Sequence, residues 1–66
     1  MHECDEWSKL LGAHVEVRRN GTALRAGVVE AVMPDQSALW LGMRGKNLRC
    51  MIFSSDGYQM WTDDEL

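Results

Sequence analysis

Four side chains in this 66-residue chain could hold a soft metal or act as nucleophile and base: His2, Cys4, His14 and Cys50. The opening "HEC" offers half of a metal site, but no CxxC or HxxxH spacing completes it. A tetrahedral metal needs about four such ligands brought together. Cys4 beside His2 or His14 is the one candidate thiol couple, and no third group stands ready to orient the base. No glycine-rich loop is built to cradle phosphate. The expectation is a chain that is not an enzyme, with no catalytic residue, no metal ligand and no cofactor.

The basic residues suggest different chemistry. Arg18 and Arg19 precede "NG", Arg44 and Lys46 stand in "RGKN", and Arg49 follows. Net charge is −3, which argues against a strong nucleic-acid binder. The acids crowd at the ends, however: Glu3, Asp5 and Glu6 at one, Asp63, Asp64 and Glu65 at the other. Between Trp7 and Thr62 seven bases face four acids, Glu16, Glu30, Asp35 and Asp56, so that stretch carries seven minus four, or +3. Tyr58 and the tryptophans could stack bases if their rings were exposed beside those cations, but so small a chain needs its aromatics for a core.

The elements that must position these residues follow from periodicity. In "DEWSKLLG" Trp7, Leu10 and Leu11 stand at i, i+3 and i+4, which predicts a short α-helix over about 5–11. The period then becomes two. Ala13, Val15 and Val17 alternate with His14, Glu16 and Arg18, a half-buried strand. "NG" predicts a tight hairpin because both residues tolerate positive φ. "TALRAGVVEAVM" is a second strand, with a bend or bulge expected at Gly27. "ALWLGM", "LRCMIF" and "YQMWT" complete five antiparallel strands over about 13–62. An acidic tail, 63–66, ends a single domain.

A short helix followed by five bent strands resembles the SH3-like barrel, and in particular its Sm-like variant. "VEVRRNGTALRAGVVEAVMPDQSALWL" resembles the first Sm motif in its alternating apolars, Gly21, Gly27 and Asp35. The resemblance implies a mainly β fold, a five-stranded antiparallel barrel with an N-terminal helix. It also implies RNA contacts from "PDQS" and "SSDG", where Gly57 matches a family glycine. Asp56 stands where the family typically carries a base, a departure from its RNA site.

Two further expectations concern surfaces. Alternation places Trp40, Met51, Phe53 and Trp61 on the face opposite the inferred inner residues, and a one-residue slip of register would turn them into the core instead. That face suits self-association, a protein partner or a covering helix. If hairpin turns fall on alternate ends of the barrel, "RRNG" and "RGKN" share one end, and the acidic tail emerges beside them and partly neutralises it. The leading expectation is a non-enzymatic module that forms a homo-oligomer or docks on a protein. The alternative is a weak, sequence-indifferent RNA or single-strand binder using Arg18, Arg19, Arg44, Lys46 and Arg49. No membrane span and no leader are expected, nor do two cysteines make a disulfide framework, which suggests a cytoplasmic chain.

Overall fold

The computed structural model describes residues 1–42 and 48–65. The chain is mainly β. Its strands are β1 (His2–Glu3), β2 (His14–Arg19), β3 (Thr22–Val32), β4 (Ala38–Leu41), β5 (Cys50–Phe53) and β6 (Gln59–Thr62). All pairings are antiparallel, in the order β1-β6-β2-β3-β4-β5. This corrects the expected five-stranded barrel: the described residues form six strands, in an open sheet with β1 and β5 as its edges. β1 is too short to show any alternation in sequence. It exists because β6 offers it a ladder, with His2 opposite Thr62 and Glu3 opposite Trp61.

The α-helix expected over 5–11 is corrected to one 3-10 turn, Trp7–Leu10. Lys9 N–H donates to Glu6 C=O, and Ala13 N–H to Leu10 C=O. With three residues per turn, positions i and i+3 eclipse. Trp7 and Leu10 therefore both enter the core, while Leu11, which an α-helix would have brought to the same face, is 63% exposed.

The first hairpin is as the sequence predicts. Asn20 and Gly21 both have positive φ, 52° and 78°, with Arg19 opposite Thr22. β3 is the long strand of the sheet, and the ladder slips twice along it. Val17 opposes Arg25 while Arg18 opposes Ala23, leaving Leu24 as an extra residue. Val29 opposes Leu41 while Ala31 opposes Trp40, leaving Glu30 as another. Such bulges bend a strand and increase its twist. β3 thus pairs with β2 through its first part and with β4 through its last. The bulge expected at Gly27 is absent. Gly27 instead permits close approach, since a β-carbon there would lie 3.0 Å from Leu41 Cγ.

The sheet must curl. In sheet order β5 and β6 lie four strand spacings apart, about 19 Å if the sheet were flat. Yet only residues 54–58 join them, and Ser54–Asp56 form a 3-10 turn, rising only about 2 Å per residue. That connection is too short for a flat sheet. Inside the curl lie Trp7, Leu10, Ala13, Val15, Val17, Val29, Leu39, Leu41, Ile52 and Met60.

Thr62 is the buried polar residue of this core. Its hydroxyl donates to His14 C=O at 2.7 Å and accepts from Asp64 N–H at 3.0 Å. Asp64 in turn accepts from His14 N–H at 2.9 Å. Thr62→Val keeps the shape but strands a carbonyl and an amide, so a loss of about 1–3 kcal/mol is expected in urea unfolding. An unchanged midpoint would show that solvent replaces the hydroxyl without penalty.

Candidate interaction surface

The alternation that buries Leu39, Leu41 and Ile52 turns their neighbours outward. Trp40 lies directly opposite Met51, and Ala38 opposite Phe53, so Trp40, Met51 and Phe53 share the outer face of β4–β5. Ala38 is buried, leaving Phe53 46% exposed beside it. Arg49 extends this surface. Its guanidinium lies 4.6 Å from the Trp40 ring centroid, and its Nε meets Glu30 Oε1 at 2.6 Å. Glu30 is available for that pairing because it is the extra residue of the second bulge.

Trp61 also faces outward, but elsewhere. β6 pairs with β1 and β2, not with β5. Trp61 lies between Glu3 and Glu16, under an Arg18 guanidinium 4.5 Å from its centroid. The expected four-residue aromatic face is therefore divided: Trp40, Met51 and Phe53 on one part of the sheet, Trp61 on another. Sequence neighbours are not sheet neighbours when the last strand returns to the first long one. The expected covering helix is absent too, because Trp7 and Leu10 fill the core.

Which strand is an edge, and which backbone groups it leaves open, is invisible in sequence. Ser54 N–H donates to Ser37 C=O at 2.8 Å, which makes Ser37 and Ser54 a hydrogen-bonded pair. In an antiparallel ladder such pairs alternate with non-bonded ones. By the register of β4 and β5, Cys50 and Ile52 turn their backbone groups toward β4. Met51 and Phe53 turn theirs outward, where no described residue pairs with them. The same residues thus present apolar side chains and open amides. At the other edge Cys4 N–H donates to Met60 C=O, so in β1 only Glu3 turns outward, and it carries a charge.

Of the expected basic cluster, Arg18 and Arg19 leave β2 at the end away from the tail's backbone, though the Arg18 guanidinium reaches Met1 Sδ at 3.4 Å, and the Met1 ammonium pairs with Asp63. β6 runs antiparallel to β2, with Gln59 opposite Arg18 and Trp61 opposite Glu16. The tail therefore emerges at the start of β2, beside His14, whereas Arg18 and Arg19 stand at its far end. Asp63 takes the Met1 ammonium at 2.7 Å, which holds its carboxyl below the ordinary range. Because β6 runs against β2, the end of β6 meets the start of β2, and the turns do not fall on alternate ends of a two-ended barrel. Arg18 pairs with Glu16 at 2.7 Å, and the Arg19 guanidinium lies 5.3 Å from the Tyr58 centroid. Arg44 and Lys46 lie outside the described residues.

Ser37 also gathers the second and fourth turns. Its carbonyl accepts from Ser54 N–H and hydroxyl. Its side chain and backbone N–H hold the Asp35 carboxyl below the usual carboxylate range. Among the described residues no group of three His, Cys, Asp or Glu converges, and no helix is long and apolar enough to cross a membrane. Comparison with protein-family models, with curated proteins and with solved structures finds no match to this chain.

Proposed function

We propose that the chain is a small, curled β interaction module that recognises a protein strand through β5 and the adjoining outer face of Trp40, Met51 and Phe53. The observation that carries this reading is the coincidence of open backbone groups and apolar side chains at Met51 and Phe53. Exposed edges are templates for strand addition and are normally guarded by charge, proline or a bulge. Strand addition draws affinity from main-chain hydrogen bonds and specificity from alternate side chains. The curl and the return of β6 to β2 support an SH3-like shape in open form.

A nucleic-acid role is the second reading, and specific contacts count against it. Arg18 and Arg49 are each held by a glutamate, and each covers the tryptophan that would have to stack a base.

The test is a titration of isotope-labelled protein with an unlabelled peptide of residues 48–56. Met51 and Phe53 amide signals should shift, while that of Glu3 stays in place. No shift at β5 would end this reading.

A further inference from the structure

We infer that the occupant of the β5 edge is the β5 of a second copy, paired antiparallel about a two-fold axis. This rests on the reading above and deepens it. Three observations select this occupant over an unrelated strand and over a ring or filament of copies.

The first is the state of the other edge. A head-to-tail assembly needs two different open edges. Here β1 and Cys4 occupy β6 along Met60, Trp61 and Thr62. What remains beyond β1 is a two-residue strand whose outward-turned residue is Glu3. Among the described residues β5 is the longer edge and the one that sets apolar side chains beside open backbone groups, so between copies of this chain it is matched by itself.

The second is register. Only residues with outward backbone groups can exchange hydrogen bonds across the new ladder. Placing the axis at Ile52 sets Met51 opposite Phe53 of the second copy, and Phe53 opposite its Met51. Both bonded pairs are then satisfied, and each brings two apolar side chains together on the outer face, next to Trp40.

The third is charge. β5 is preceded by Arg49 and followed by Asp56. Antiparallel pairing about Ile52 brings the Arg49 end of one strand, where Arg49 already meets Glu30, toward the turn that carries Asp56 in the other, twice. A parallel arrangement would set like charges together. Asp56 has no ion-pair partner among the described residues.

The interface is small, because β5 has four residues, so a weak, concentration-dependent dimer is expected. Sedimentation equilibrium from 5 to 500 µM tests it. One chain is 7.5 kDa; the expected limit is twice that, or 15 kDa, with no further growth. Phe53→Lys should return the mass to that of one chain while the circular-dichroism spectrum is unchanged. Met51→Pro should do the same, because the N–H it removes points away from β4. Asp56→Lys should weaken the dimer about three- to tenfold, and the exchange Arg49→Asp with Asp56→Arg should restore it.

A single-chain mass at every concentration would overturn the inference, as would a dimer indifferent to Phe53→Lys and Met51→Pro. Masses rising past 15 kDa would overturn the closed two-fold, and indifference to Asp56→Lys would overturn the antiparallel direction of the pairing. A protein that stays single but still shifts Met51 and Phe53 with the peptide retains the strand-docking reading and loses only the second copy. Absence of both results ends both.

Discussion

Replacing Leu10 by alanine is expected to lower the unfolding free energy by about 2–5 kcal/mol, the usual range for removing a buried leucine. Leu10 has no exposed surface and packs among Trp7, Ala13 and the strands. At about 0.05–0.15 kcal/mol per residue, a chain of this length is stable by about 3–10 kcal/mol. The single change therefore removes a large part of the total, and at the lower end of that range it unfolds the protein at room temperature. Leu11→Ala next to it should cost less than about 0.5 kcal/mol, since that side chain is mostly in solvent. Urea denaturation of the two variants reads the difference directly. Equal effects would mean that the segment is an α-helix with both leucines inward.

Gly27→Val is the second change of large effect, and its sign separates two physical arguments. Strand propensity alone favours valine over glycine in the middle of β3, by a margin within about 1 kcal/mol. Packing opposes it. A β-carbon at position 27 would meet Leu41 Cγ at 3.0 Å and Gly42 O at 3.2 Å. Leu41 is fully buried and has nowhere to retreat. Overpacking of this kind costs about 1–3 kcal/mol, occasionally more, and valine adds two methyl groups beyond the first clash. Packing wins, and a net loss of about 2 kcal/mol is expected in thermal or urea unfolding. Trimming the neighbour in the double variant Gly27→Val with Leu41→Ala should give a loss smaller than the sum of the two single losses, because the sites touch. A stabilised Gly27→Val would show that β4 can move away from β3.

These two residues also show where sequence reasoning reaches its limit. The spacing of Trp7 and Leu10 marks both as core residues whether the segment is α or 3-10, because i and i+3 share a face in each. Leu11 is what distinguishes them, and its fate depends on whether the core has room for it. Gly27 is conspicuous in a strand, but close approach and a bulge look alike in a single sequence. The bulges fell instead at Leu24 and Glu30, whose residue types announce nothing.

The candidate surface divides in the same way. Alternation alone sets Trp40 apart from Leu39 and Leu41, Met51 and Phe53 apart from Ile52, and Trp61 apart from Met60, because side chains in a strand alternate with a period of two; which side faces out depends on the register. The composition of "NG" alone dictates the first turn, because those residues tolerate positive φ. These are local consequences of backbone geometry, and the sequence by itself determined them. Which strands lie side by side is a different matter. β6 pairs with β2, β1 covers β6, and β5 is left open because the sheet curls about one core, a balance among residues far apart in the chain. That balance separates Trp61 from Trp40, brings the acidic tail to His14 at the start of β2, and leaves Met51 and Phe53 with open amides. Only the tertiary structure decided these points, since an edge is a property of a sheet and not of any one strand.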